Sequence, residues 1–476
     1  MRRAAGALIV LALALPLAPI ARASTVAVYQ TTASLSQALA PRSPLTLTRQ
    51  PPRGLPLIVV NERVRYQRFQ GVGGAMTDSS AWLIWQELSP VARARLLGDL
   101  FGPDGIGLGF LRIPIGASDF TRYGRPYTYD GGGADPKLEH FSLAHDERYV
   151  IPAVRAALAL DPGLDILATP WSPPAWMKAN GLLGNLGELG TLLPSAYRPL
   201  AHYLVRFIEG YRGAGIPVDA ITPQNEPGVA VSYPSMDLPE AAEANLIGHY
   251  LAPALRTAHL TTKIYGYDGI WDPTYPSSLL DGYVASDLAG IAWHCYFGNP
   301  AAMSELHQLA PRLDELVDEC SPEIRQFSTS EFEIASLRNW ASVVAVWNLA
   351  LDPSGGPVQP DNAGCTGCTG VVTVDPGRRS FRLGGKYFQL GQLGRFVRRG
   401  ASRIDSSHFV TYGMNLDGSM SASQGLDDVA FVNPDGTEVL ISYANSTVPI
   451  RFAVRAGGRF FAYTIPAGAT TTFVWR

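Results

Sequence analysis

One pattern constrains the fold of this 476-residue chain more than any other. From about Phe69 to Leu351, short apolar runs take turns with longer segments of helical periodicity. A strand separated from the next by a helix pairs in parallel across a crossover, not as a hairpin. Eight candidate strands can be read: Arg68–Val72, Gly107–Pro114, Asp165–Thr169, Ala220–Pro223, Lys263–Tyr267, Gly290–His294, Ile324–Thr329 and Ser342–Asn348. Helical patterns fall between them, among them Pro90–Phe101, Tyr149–Leu160, Ser195–Ala214, Leu238–Ala258 and Pro311–Cys320. Eight such repeats predict an α/β fold, a (β/α)8 TIM barrel.

The pattern changes near Arg395. Short alternating runs broken by turns follow, such as HFVTYG from His408 and DVAFVNPDGTEVLISYAN ending at Asn445. Asn433-Pro-Asp-Gly436 reads as a hairpin turn. This is the signature of an appended all-β sandwich domain. Residues 24–66 also read as strands and are expected to join that sandwich, because the ends of a domain often meet. The expected division is a signal peptide over 1–23, sandwich strands over 24–66, the catalytic barrel over 67–394 and the sandwich over 395–476.

Hydrophobic residues make up 46% and charged residues 17% of the chain, a balance that suits a compact protein and not a disordered one. A formal net charge of −3 gives no broad basic surface, so no nucleic-acid partner is expected. Arg2 and Arg3, the apolar run Ala4–Ile20 and Ala21-Arg22-Ala23 have the form of a cleavable secretory signal. Pro16 and Pro19 interrupt the run, and no second long apolar stretch follows, so no membrane span is expected. The mature protein is expected to be exported, extracellular or periplasmic. Oligomeric state is not set by the sequence. In an exported chain Cys365 and Cys368 can close a small disulfide loop, whereas Cys295 and Cys320 either pair or stay reduced. Zinc would need further ligands near CTGC, and none is present in the sequence around it.

Two glutamates stand where apolar runs meet loops: Glu226 in TPQNEP and Glu331 in FSTSEFE. They would close strands four and seven of the count. Acid/base cleavage of a glycosidic bond with retention needs such a pair, about 5–5.5 Å apart. Pro227 restricts the backbone of Glu226, and Asn225 is placed to donate to a sugar hydroxyl. Glu333 points the same way as Glu331 on an extended strand, so spacing leaves both open. Asp78, Asp119, Trp171, His294 and Trp347 also fall just past strand ends, where barrel enzymes build their sites.

The motifs in order resemble glycoside hydrolase family 30, in its glucosylceramidase-like members. They are QGVGGAMTDSSAW (Gln70–Trp82), LRIPIGASDF (Leu111–Phe120), ILATPWSPPAWMKANG (Ile166–Gly181), ITPQNEP, AWHCYFG (Ala292–Gly298), STSEFE, WNLALDPSGGP (Trp347–Pro357) and YFQLGQLGRFVRRGASRI (Tyr387–Ile404). The resemblance spans most of the mature chain. It implies a retaining β-glycoside hydrolase, with Glu226 as acid/base and Glu331 as nucleophile. It also implies that Asp119, Trp171, Asn225, His294, Tyr296, Trp347 and Asn362 line the sugar subsite. His294 would hold a hydroxyl or orient Glu331. A carbohydrate partner is implied: a β-glucoside, a β-glucan or a glycolipid. No metal or organic cofactor is implied. Cys295 stands where animal members carry Trp, and the loop Gln359–Gly370 differs from theirs, which argues against a ceramide aglycone. The alternatives are an endo-acting xylanase or other β-glycanase of the family, and a non-catalytic carbohydrate-binding protein.

Overall fold

The computed structural model describes residues 25–185, 190–280, 282–359, 365, 367–407 and 425–476. Residues 1–24, where a signal segment is expected, the HFVTYG run and Asn362 lie outside the described residues.

Eight strands form a closed barrel: β1 (Gly71–Ala75), β2 (Phe110–Ile115), β3 (Asp165–Pro170), β4 (Ala220–Ile221), β5 (Lys263–Trp271), β6 (Leu288–Gly298), β7 (Asp314–Glu319) and β8 (Ala341–Asn348). Every neighbouring pair is parallel, and β8 closes onto β1 with Val343 opposite Gly71. Phe110, Leu167, Ala220, Tyr265, Ala292, Leu316, Val343 and Ala345, one or two from each of β2 to β8, fill the interior as a packed cluster. β1 contributes glycines there. A Cβ at Gly73 would overlap the Phe110 carbonyl, so the close approach of β1 to β2 requires glycine.

Strand seven is not where the sequence reading puts it. Asp314–Glu319 was expected to be helical, and the strand was expected at Ile324–Thr329. Leu313, Leu316, Val317 and Cys320 repeat at helical spacing, which suggests an amphipathic helix. A parallel barrel strand is covered on both faces and need not alternate. Its acids are buried against partners from other elements: the Trp293 indole donates to Glu315 at 2.7 Å, and Arg112 meets Asp318 and Glu319. Those partners override the local pattern. Thr329–Arg338 is a helix, opened by Ser328 as N-cap. β1 also starts three residues later than expected, because the long strand Leu57–Arg68 belongs to the other domain.

That domain is a nine-stranded all-β unit. Thr25–Thr31 lies between Thr470–Trp475 and Ala40–Thr46, and Leu57–Arg68 pairs with Ser402–Ser406 and Ile450–Ala456. A bridge between Thr48 and Phe460 joins the outer edges, so the sheet wraps its own core of Val26, Ile58, Phe452, Phe461, Phe473 and Trp475. Gly425–Val432 and Glu438–Asn445 form a hairpin through Asn433–Gly436, with Gly436 at φ 81°. Among the described residues, no helix is long and apolar enough to cross a membrane. Cys295 is bonded to Cys320, and Cys365 to Cys368.

Candidate active site

The C-terminal ends of the barrel strands carry the site, and local irregularities aim its side chains. β7 slips register between Val317 and Glu319, so that both Asp318 and Glu319 reach Arg112. β5 slips between Tyr267 and Gly269, with Tyr267 and Asp268 at φ 71° and 65°. Bulges of this kind redirect a side chain at a strand end. Glu226 has φ 44°, a left-handed conformation that costs about 1–3 kcal/mol in a residue with a side chain. Its amide donates to the Asp268 carbonyl at 2.9 Å, which ties the loop after β4 to the bulge of β5.

Arg112, on β2, is the hub. It is fully buried. Its Nη2 donates to Asn225 Oδ1 at 2.9 Å and to Asp268 Oδ1 at 2.9 Å. Its Nε pairs with Asp318 at 2.8 Å and its Nη1 with Glu319. The guanidinium also lies 4.7 Å from the Trp171 ring centroid and 5.5 Å from that of Trp347. Burial works against the cation, but the surrounding carboxylates hold the proton firmly on Arg112.

His294 links two acids. Its Nδ1 is 3.0 Å from Glu226 Oε1 and its Nε2 2.8 Å from Asp268 Oδ1. Burial alone would lower its proton affinity. Glu319, Asp268 and Glu226 outweigh burial and raise it well above the ordinary value, which favours the protonated ring between the two acids. Glu226, His294 and Glu319 bring one polar atom each within 4.8 Å of one another.

The Tyr296 hydroxyl donates to Glu319 Oε1 at 2.8 Å. Burial, Glu319 and Glu226 hold the Tyr296 phenol well above its ordinary value, so it remains a donor. Burial pushes the Glu319 carboxyl up; His294 and Arg112 oppose the rise, and Glu226 adds to it. Arg112 and His294 thus offset part of the burial that favours its neutral form.

These groups border a cleft of about 280 Å³. Asp119, Trp171, Asn225, Glu226, Tyr296 and Trp347 line it, as does Glu319. Trp171 and Trp347 stack with ring centroids 5.0 Å apart. His294 sits behind Glu226, in contact with it and not with Glu331.

Glu331 is elsewhere, and its expected role is corrected. It is the N3 residue of the helix Thr329–Arg338, in a capping box with Ser328. Its amide donates to Ser328 Oγ at 3.0 Å, and its carboxylate accepts from the Ser328 amide at 3.3 Å and from Asn445 of the sandwich at 3.3 Å. Its chemistry is spent on ending a helix and joining two domains. Glu333, the alternative, is buried within the same helix. The sequence held the signal: Ser328-Thr-Ser-Glu331 has the S-x-x-E form of a capping box. Glu319, Arg112 and Asp268 are the site residues that the sequence reading missed.

Two carboxyl groups this close on the C-terminal face of a closed β/α barrel define a retaining glycoside hydrolase. Residues 69–397 match the family model described as the glycosyl hydrolase family 30 TIM-barrel domain, and residues 400–473 match that family's beta sandwich domain. The chain belongs to glycosyl hydrolase family 30. It is 33% identical over 431 residues to an endo-1,6-beta-D-glucanase of Aspergillus fumigatus, covering 86% of this chain and 85% of that one. It is 28% identical to the lysosomal acid glucosylceramidase of Mus musculus, covering 88% and 83%. A solved endo-beta1,6-glucanase superposes with a TM-score of 0.81 at 29% identity, covering 94% of this chain and 99% of that one.

Proposed function

We propose that this retaining β-glycosidase cleaves β-1,6-linked glucan, with Glu319 as nucleophile and Glu226 as acid/base. The observation that carries the assignment of the pair is the placing of carboxylate oxygens of Glu226 and Glu319 within 4.8 Å of each other in the cleft. Glu319 attacks the anomeric carbon while Glu226 gives its proton to the departing oxygen, which leaves as an alcohol. The sugar is then held as an ester on Glu319. Glu226, now a carboxylate, takes a proton from water as that water attacks the same carbon. The ester breaks, and the sugar leaves with its original β configuration. His294 engages one oxygen of Glu226 and leaves Oε2 to handle the proton. Arg112 and Tyr296 hold Glu319 in line. Asn225, its Oδ1 taken by Arg112, turns its amide hydrogens toward the 2-hydroxyl. Asp119 accepts from sugar hydroxyls, and Trp171 and Trp347 wall the ring. No step needs a metal or an organic cofactor.

The choice of β-1,6-glucan over glucosylceramide rests on relatives. Endo-1,6-beta-D-glucanases match at 32–33% identity, against 28% for the mouse glucosylceramidase. Digestion of β-1,6-glucan and of glucosylceramide, followed by chromatography and proton NMR, tests it. A ladder of oligosaccharides born as β-anomers is expected. Release of ceramide with the polymer left intact would refute the substrate. The protein is also proposed to be exported with cleavage after Ala23, which predicts a mature N-terminus at Ser24 by mass spectrometry.

A further inference from the structure

The lining of the cleft is of two kinds. Trp171, Trp347, Asp119 and Asn225 are all buried. Val229, Val231 and Arg325 are half-buried and Phe297 is exposed. Phe297 is 50% exposed, a rare state for a phenylalanine in this protein. It immediately follows Tyr296, which holds Glu319, and lies three residues after His294 on β6. Arg325 ends the short turn Pro322–Arg325, six residues after Glu319. Its guanidinium carbon is 4.8 Å from the Phe297 ring centroid.

An exposed aromatic ring in the lining of a cleft offers a flat apolar face to a ligand. Here a cation packed on the ring fixes its position. The buried set fits the reacting sugar, with its O6 left free to continue the chain. The more open set includes Val229, three residues beyond Glu226, and lines the same cleft as that acid, so it suits the group that Glu226 protonates. We propose that Phe297 and Arg325 form the acceptor subsite, a platform for the sugar on the leaving side of the scissile bond. The ring takes the C–H face of that sugar, and the guanidinium donates to its hydroxyls. A sugar offers the guanidinium hydroxyls all round its ring, whereas a ceramide offers only the amide and hydroxyl beside the glycosidic oxygen, and its hydrocarbon chains would strip water from the cation without replacing it. The inference deepens the glucanase reading and rests on it for the identity of the leaving group.

β-Glucosyl fluoride separates the two, because its leaving group is too small to touch the platform. Phe297→Ala, at an exposed position, and Arg325→Ala should cleave it within about 2-fold of the parent. The same variants should lose about 10- to 100-fold in kcat/KM on β-1,6-linked gluco-oligosaccharides, mostly through KM. They should also lose transfer of glucose from the fluoride to an added β-glucoside acceptor, and Phe297→Trp should keep it. Equal losses on fluoride and oligosaccharide, or no loss on either, would overturn the proposal. So would a parent enzyme that transfers to no sugar acceptor. A parent that transfers to the acceptor, with transfer lost in Phe297→Ala, but leaves β-1,6-oligosaccharides intact would support the platform and refute the linkage.

Discussion

Replacing Glu319 and Glu331 in turn separates a catalytic acid from a structural one. Glu319→Ala removes the group that attacks the sugar. Loss of a covalent nucleophile typically costs about 10^5-fold in kcat, or ~7 kcal/mol of barrier at 1.36 kcal/mol per decade. The same change relieves burial of one of three carboxylates around Arg112, so folding should survive. Glu331→Ala removes a capping-box acceptor and one bond to Asn445. Those losses are worth about 1 kcal/mol for the cap and about 1 kcal/mol for the hydrogen bond. Activity on an aryl β-glucoside should therefore fall to background in Glu319→Ala and stay within about 2-fold in Glu331→Ala, which should instead unfold at lower urea. Added azide should restore turnover of the Glu319→Ala enzyme with an activated glucoside and yield the α-glucosyl azide, because azide enters where the carboxylate stood. A folded, inactive Glu331→Ala beside an active Glu319→Ala would refute the assignment.

Two further outcomes follow from the same geometry. The raised proton affinity of His294 in the folded state exceeds the ordinary unfolded value of about 6.5, so its stabilising contribution is full below that pH and fades as pH rises through the folded value. The stability gap between the parent and His294→Gln, measured by urea unfolding from pH 6 to 9, should shrink toward alkaline pH; a gap constant with pH would contradict it. Cys295 and Cys320 directly follow His294 and Glu319, and their bond spans 25 residues, for which loop closure gives roughly 3 kcal/mol. The paired Cys295→Ala and Cys320→Ala variant should unfold at correspondingly lower denaturant, and an unchanged midpoint would refute this contribution.

Much of the architecture was legible because it is written in local periodicity. Apolar runs with intervening helical segments imply crossovers, and crossovers imply parallel pairing. Thr222–Pro227 placed Glu226, since a short apolar strand stops at a proline-bounded loop. Trp171, Asn225 and Trp347 were found the same way, Tyr296 came from the family resemblance alone, and all four meet in one cleft. β7 was not legible. Its acids look solvent-seeking in sequence, and only Arg112 and Trp293, from strands far away in the chain, make their burial possible. Glu331 looked like the second carboxylate because a loop-edge Glu is ambiguous between a cap and a nucleophile. Its tertiary neighbours, Asn445 and Ser328, decide for the cap. The sequence by itself thus determined the barrel, the second domain and one of the two carboxylates that meet in the cleft, all through patterns a few residues long. The tertiary structure decided which acid faces Glu226, because Glu319 of β7 is held there by Arg112 of β2 and Tyr296 of β6.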